Sequence, residues 1–471
     1  LRVGILMELY FDRVRNKSTN KRIYKRIAIR MFLLVLTSFF LINFFDGQIT
    51  LVRVILAMAF VTLFIPLTVI KDVFHPLVLY SVFQFFILLN FLDKVRVTDP
   101  SMKFFHLSSD NNDYYIIISL LIWITWHLLI CTGYYYSSTF FKVKDHNKRT
   151  FINNLKIYHP QKIAYLLFFI SVLSFLIILS KMGGISGMIY ATKDSLNSYA
   201  GLVYFKNLVD LSVISSILFL YSNKRRLAVI VLLSSVVMMF FFGNRGSIVN
   251  AIIVYMLCSH YYYREVKINK LSLLVVFTLV FTQIMGSIRK YGSLTIQNFE
   301  ISNLLFNAAD TKDMANILPS IVGSLENGII NFQYGKDMFN ILVAPIPRSI
   351  WGNKPLIDES TIIGSMLIDS PIYWGLPPGP YGWMYLNFGW FGVIIASFCT
   401  GIIIQKVYSA FLRNRESLTL YVLIYPFIVS HIPSVFNTSK QVQIIWYVGI
   451  MLIVYLIDKM FSTKRFISNG R

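Results

Sequence analysis

The sequence predicts an all-α polytopic membrane protein of about twelve transmembrane helices. Three observations carry this prediction. Of the 471 residues, 56% are hydrophobic and only 14% are charged, whereas a soluble domain averages about 25% charged residues. The apolar residues, 40 Phe and 28 Tyr among them, come in runs rather than alternating with polar ones. Several runs are long enough to cross a hydrocarbon core of ~30 Å as helix. Lipid offers no partners for backbone polar groups, so such runs must close their hydrogen bonds internally. Third, the net charge of +22 is spread over many short loops. Cytoplasmic loops of membrane proteins gather Lys and Arg in this way, while a nucleic-acid footprint would concentrate them on one face.

Taken in order, about thirty basic and polar residues precede the first apolar run, which does not fit a cleavable secretory leader. Helices are predicted at 31–47, 50–70, 76–93, 114–135, 163–181, 201–221, 227–243, 246–260, 271–287, 383–404, 418–435 and 442–458. With both termini inside, most of the 44 Lys and Arg residues fall on cytoplasmic segments, including Lys21-Arg22, Lys148-Arg149, Lys224-Arg225-Arg226 and Lys464-Arg465. The opposite topology would place all of these patches outside, against the positive-inside bias. The chain then divides into 1–287 with the first nine helices, a long external loop at 288–382, and 383–471 with the last three helices and a cytoplasmic tail. Cys131, Cys258 and Cys399 lie in apolar runs with no CxxC spacing, so neither a disulfide framework nor a metal site is indicated.

Three external segments exceed a tight turn: 94–113, 182–200 beginning at Gly183-Gly184, and 288–382. A structureless loop of the last length is improbable. Met314, Ile317, Leu318, Ile321 and Leu325 recur at helical spacing, with Pro319 as a kink and Asn327-Gly328 as a stop. They predict broken amphipathic helices lying on the outer membrane surface.

Several segments have the residue types to act chemically. PIPRSIWGNKP (Pro345 to Pro355) stiffens the backbone with prolines and carries Arg348 and Lys354. A planar guanidinium suits phosphate because it binds two oxygens at once. Interfacial anchoring through Trp351 reads equally well. PPGPYGWMYLNFGWFG (Pro377 to Gly392) closes the loop with prolines, then presents Tyr381, Trp383, Tyr385 and Trp390. An aromatic belt with close helix packing at Gly389 and Gly392 is the favoured reading there. Gly243-Asn244-Arg245-Gly246-Ser247 forms a tight external turn. Its Arg245 is either a snorkelling helix-end cation or an anion ligand. Arg289 and Lys290 also emerge outside, against the prevailing bias. Arg245, Arg289, Arg348 and Lys354 therefore group as candidate anion ligands, joined by Lys193. Within the sixth predicted helix, Lys206 and Asp210 share a face. Mutual neutralisation is expected there, because a lone charge at the bilayer centre costs roughly 2.5–3.5 kcal/mol on insertion scales. His431 lies near the external end of the eleventh helix, as a structural or a chemical histidine. No Walker motif, no GxGxxG followed by an acid, no HExxH and no GxSxG is present.

GNRGS opening a helix, YGKDMFNILVAPIPRSIWGNKP in a long external loop and PYGWMYLNFGWFG entering the next helix resemble the Wzy-type oligosaccharide repeat-unit polymerases of O-antigen and capsule. GGISG (Gly183 to Gly187) is similar to another element of that family. The resemblance implies a GT-C-like membrane enzyme, multi-pass in the bacterial inner membrane, with its active site facing the periplasm. It implies transfer of glycan from one undecaprenyl diphosphate carrier to a repeat unit on another, without nucleotide, metal or other cofactor. The implied partners are the carrier-linked donor and acceptor, the bilayer, a chain-length regulator and a flippase; nucleic acid is not among them. The diphosphate leaving group calls for cation stabilisation more than for a general acid. That role falls to Arg348 with Arg245 or Arg289, with Lys354 and Lys193 as further charges. The acceptor hydroxyl needs a base, and Glu326 is the candidate, with His431, Asp310 and Asp313 behind it. Helix capping or solvation is the alternative role for Glu326. The family often carries an acid where this chain reads Gly382-Trp383-Met384, so another carboxylate would fill that role here. The PIPR segment favours polymerase over an O-antigen ligase. Placement of the notable residues outside the membrane disfavours a lipid-linked oligosaccharide flippase or other transporter, whose site would lie at midplane.

Overall fold

A computed structural model of the chain describes residues 51–70, 72, 74–96, 112–140, 155–191, 201–243, 245–263, 266, 314–344, 346, 350–368, 375–415 and 418–468. The regular elements are helices: α1 Leu51–Val69, α2 Pro76–Arg96, α3 Asn112–Phe140, α4 Pro160–Lys181, α5 Ile185–Ala191, α6 Val203–Val209, α7 Leu211–Tyr221, α8 Arg225–Phe241, α9 Arg245–Tyr262, α10 Met314–Glu326, α11 Glu359–Leu367, α12 Gly379–Asn414, α13 Leu420–Ile428 and α14 Thr438–Ser468. Lys336–Val343 and Ile432–Ser434 are 3₁₀ turns. Among the described residues, extended pairing is limited to an isolated bridge between Lys156 and Thr419.

The predicted helices at 31–47 and 271–287 lie outside the described residues, and the other ten coincide with helices. Five described helical segments are long and apolar enough to cross a membrane: Asp113–Ser138, Pro160–Lys181, Val203–Tyr221, Gly379–Asn414 and Thr438–Ser462. Two predictions are corrected. The eleventh predicted helix, 418–435, is helical over Leu420–Ile428 and then gives way to the turn at Ile432–Ser434, while the sixth stays one segment, Val203–Tyr221, with Asp210 in helical dihedrals (φ −63°, ψ −18°) where α6 meets α7. The tenth begins at Gly379, so Pro380 lies inside its first turn instead of before it. A proline is tolerated there because the first-turn N–H groups have no intrahelical acceptor.

The described residues form two compact units, to both of which α3 and α12 contribute residues. One draws on Leu1–Gly133, Asp313–Gly335 and Ser360–Cys399. In it α1 and α2 pack through Phe60, Phe64 and Phe85. The indole N–H of buried Trp123 on α3 donates to Gln84 Oε1 on α2 at 3.0 Å, which satisfies both polar groups in an apolar setting. The amphipathic helix predicted in the long loop is α10, with Pro319 accommodated inside it. Its apolar face (Ile317, Leu318, Ile321, Val322) is fully buried by protein, with α2 packed against α10. It is therefore not open to lipid, as a helix lying on the membrane surface would be.

The other unit draws on Tyr134–Lys312, Lys336–Glu359 and Thr400–Arg471. Helix α7 is its centre, buried from Leu211 to Leu220 and packed on α4, α8 and α9. Serines join these helices: Ser215 Oγ donates to the Ala164 carbonyl and Ser216 Oγ to the Ala228 carbonyl, both at 2.7 Å. Small hydroxyl residues allow close helix approach and supply interhelical bonds where lipid supplies none. Buried Asp458 of α14 accepts the Tyr158 and His159 N–H groups at 2.8 and 2.7 Å. It thereby places a carboxylate at the start of α4, where the helix dipole favours it. In GGISG the glycines have backbone reasons: Gly183 and Gly184 adopt φ of +72° and +92°, and a Cβ at Gly187 would collide with the Met182 carbonyl.

Candidate active site

In the first unit, the end of α10 presents a carboxylate. The Asn327-Gly328 stop forms as the sequence predicts. Gly328 adopts φ +67°, and the Gly328 and Ile329 N–H groups return to the Leu325 and Ser324 carbonyls at 3.2 and 2.9 Å. Glu326 is the last helical residue and is exposed. A carboxylate at a helix C-terminus faces a like-signed dipole, so capping does not account for it. Two consecutive tyrosines at the head of α3 meet two consecutive residues here. Tyr114 Oη donates to Glu326 Oε1 at 3.3 Å, and Asn327 Nδ2 donates to Tyr115 Oη at 3.1 Å. The two tyrosine rings stand edge to face at 5.4 Å.

A broken helix forms the adjoining wall. Helix α12 is interrupted at Gly389, with φ 59° and ψ −148°, a combination essentially reserved for glycine. Just before the break, the Leu386 and Asn387 carbonyls accept the Gln333 and Tyr334 N–H groups, both at 3.1 Å. The fully buried Asn387 side chain accepts from the Gly335 N–H at 2.9 Å and donates to the Trp383 carbonyl at 2.8 Å. Residues 333–335 are thus docked along the broken turn, which brings aromatic rings together. Phe332 lies 6.1 Å from Tyr334 and 6.5 Å from Tyr385, and Tyr385 lies 6.1 Å from Trp390. The Glu326 carboxylate is near enough to Tyr385 to interact with it electrostatically. A Cβ at Gly382 would first meet Pro378, Leu318 and Ile321.

The predicted aromatic belt is corrected in the same place. Tyr381, Trp383 and Tyr385 are buried, and of the four only Trp390 is exposed. They pack inward, Tyr381 edge-on to Trp126 at 6.5 Å, because the elements around α12 cover them.

In the second unit, Lys354 is nearly buried and its ammonium donates to the Ala344 and Ile346 carbonyls, each at 2.8 Å. It thereby ties position 354 back to the backbone on either side of position 345. The Asn340 amide donates to the Leu356 carbonyl at 2.8 Å and to Asp337 Oδ1 at 3.2 Å. Buried Glu359 accepts from Asn437 Nδ2 at 3.0 Å, from the Ser439 N–H at 3.0 Å and from Ser439 Oγ at 2.6 Å. It caps the N-terminus of α14 through side chain and backbone together. His431 lies in the turn between α13 and α14, outside the five candidate spans. Its Nδ1 is 3.0 Å from Ser430 Oγ, which also bonds to Asn250 Oδ1 at 3.0 Å. Burial, and then the Lys440 ammonium, push the imidazole down to about 4, so it is neutral at neutral pH and a weak base. Arg245 is the first residue of α9, after Gly243 at φ +66°. Arg348, Arg289, Lys193, Asp310 and Asp313 lie outside the described residues.

Sequence reasoning picked out Glu326 and missed Tyr114, Tyr115, Asn387 and Glu359. Asn387 had a readable signal: an amide flanked by apolar residues, two positions before a glycine, in a run otherwise free of amide and carboxylate side chains. Glu359 and the Tyr114-Tyr115 pair had none, because their partners are distant in the chain.

A helical multi-pass membrane protein that displays a carboxylate beside aromatic rings defines the class. Residues 24–465 match the family model for O-antigen polysaccharide polymerase Wzy, and the chain belongs to that family. It is a polysaccharide-biosynthesis protein acting on lipid-linked oligosaccharide repeat units. No curated protein and no solved structure matches the chain.

Proposed function

We propose that this protein joins undecaprenyl-diphosphate-linked repeat units at the external face of the bacterial inner membrane. About twelve helices span the bilayer, both termini are cytoplasmic, and the 288–382 segment faces the periplasm. The observation that carries the activity is the family match over 24–465. In the transfer, the bond between the donor's anomeric carbon and its diphosphate breaks. A glycosidic bond forms to a hydroxyl of the acceptor unit, whose proton passes to a carboxylate. Glu326 is that base: it is exposed, ends a buried helix that fixes its backbone, and has Tyr114 Oη at 3.3 Å to orient it. Arg348, with Arg245 or Arg289, balances the charge that grows on the departing diphosphate, and Lys193 adds to that field. Lys354, held against the Ala344 and Ile346 carbonyls, contributes a point charge to the same field. His431 stands second as a base, since its depressed basicity matches a hydroxyl proton poorly. A flippase supplies the carrier-linked units and a chain-length regulator limits the product.

Deletion of the gene tests this reading by the glycan left on the carrier. Single repeat units should accumulate at the outer face. Wild type should restore long chains, and Arg348→Ala should not, at equal protein level in the membrane. Wild-type ladders from Arg348→Ala would remove the arginine from the mechanism. Long chains stranded on the carrier after deletion would replace polymerase by ligase.

A further inference from the structure

The rings beside Glu326 have a feature that helix packing does not explain. Tyr334 is a non-glycine residue at φ +47°, a left-handed backbone that costs a bulky residue energy. Its ring is 75% exposed, so burial does not repay that cost. The strain is held in place by the Gln333, Tyr334 and Gly335 N–H groups, all bonded to the broken turn of α12. The result is a rigid display of Phe332, Tyr334 and Trp390 around buried Tyr385, next to an exposed carboxylate and the half-exposed Tyr114.

An aromatic ring has a negative face, and the C–H bonds on one face of a pyranose are polarised positive by the ring and hydroxyl oxygens. Sugar hydroxyls in turn donate well to a carboxylate. A carboxylate bonded to Tyr114, in a cluster whose rings meet at Tyr385, matches both halves of a sugar. A lipid-headgroup anchor would require the reverse charge, because phosphate is repelled by Glu326. Among the described residues, no cation forms an ion pair with Glu326 that would offset this.

We propose that Phe332, Tyr334 and Trp390, with Glu326 and Tyr114, form a saccharide subsite that takes a pyranose ring of the acceptor repeat unit. The proposal rests on the polymerase reading above and assigns to that site the contacts that select and orient its acceptor.

The test uses the full-length protein in nanodiscs. The probe is the repeat-unit oligosaccharide released by mild acid from the carrier lipid of cells lacking this gene. Saturation-transfer NMR reports binding of the free oligosaccharide, and extension of carrier-linked units gives KM and kcat for the acceptor. Tyr334→Asn removes the ring while keeping a residue that tolerates left-handed backbone; Phe332→Leu removes a second ring at similar volume. Each should weaken oligosaccharide binding and raise the acceptor KM about tenfold, with kcat within about twofold of wild type. Phe391→Ala, an exposed aromatic on the same helix, should leave both readouts unchanged. Unchanged binding and KM in Tyr334→Asn and Phe332→Leu would overturn the subsite and leave the polymerase reading standing. An equal loss in Phe391→Ala would reduce the rings to membrane anchors and overturn it too. Tyr334-dependent binding by a wild-type protein that extends nothing would support the subsite while removing the polymerase reading.

Discussion

Glu326 and Glu359 are two glutamates 33 positions apart in chain number, and the structure uses them in opposite ways. Glu359 is buried with three donors on its two oxygens. Glu326 is exposed, and from the described residues it accepts one long hydrogen bond, that of Tyr114. The same contrast separates the stretches around them. Lys354 is turned onto backbone carbonyls, whereas residues 332–335 are docked so that rings face outward. A buried charge with full coordination stabilises structure, and removing a partner leaves costly unpaired groups. A charge held in position but not fully bonded keeps lone pairs available for a substrate. Burial and coordination, more than residue type, therefore sort the charged side chains into structural and chemical roles.

The largest expected effect is on rate. Glu326→Gln keeps shape and the Tyr114 contact but cannot accept a proton, so extension of carrier-linked units should fall about 10²–10⁴-fold. Its thermal midpoint in detergent should stay within about 2 °C of wild type, because an exposed side chain contributes little to stability. Near-normal extension by this variant would move the base elsewhere and weaken the contrast. Glu359→Ala should show the reverse pattern. It strands the Asn437 amide and the Ser439 N–H and hydroxyl, at a cost of about 2–4 kcal/mol. Thermal unfolding followed by size-exclusion should reveal this as an early loss of monodisperse protein. Activity per folded molecule should remain measurable. If Glu359→Ala folded normally and lost only rate, the two glutamates would exchange roles.

Much of this was legible in the sequence where the controlling physics is local. The run lengths that predict helices depend on backbone satisfaction within each segment, and ten predicted helices coincide with observed ones. The Asn327-Gly328 stop was legible because glycine's left-handed freedom acts within a few residues, and it placed Glu326 at a helix end. What did not show was everything set by distant packing. Tyr381, Trp383 and Tyr385 look like a belt because aromatic residues at a helix entrance usually are; burial by other elements makes them core. Lys354 reads as a phosphate ligand because a cation among prolines in an external loop has no obvious local partner. It also bonds to the Ala344 and Ile346 carbonyls, and a carbonyl acceptor has no sequence signature. Gly389 was readable as a packing glycine and not as a break, since the dihedrals follow from the docked 333–335 segment.

The smallest effect gives the finest test of the contrast. Tyr114 Oη lies 3.3 Å from Glu326 Oε1, longer than a strong charge-assisted bond. It therefore holds the carboxylate without competing strongly for the lone pair that would accept a proton. Tyr114→Phe removes this hydroxyl and keeps the ring, whose edge-to-face packing on Tyr115 persists. Asn327 still bonds to Tyr115, so the end of α10 remains anchored and stability should change by less than about 0.5 kcal/mol. The rate should fall about three- to tenfold, the effect of losing one orienting bond worth about 0.5–1.5 kcal/mol. The loss should appear in kcat more than in KM, because a misaligned base is felt in the transition state. In the Glu326→Gln background the same change should have no further effect, since a hydroxyl that only orients the base has nothing left to orient. A full additional loss in the double variant would mean that the Tyr114 hydroxyl itself bonds to substrate, beyond any contact its ring makes, and the carboxylate and the hydroxyl would then be two separate parts of the site.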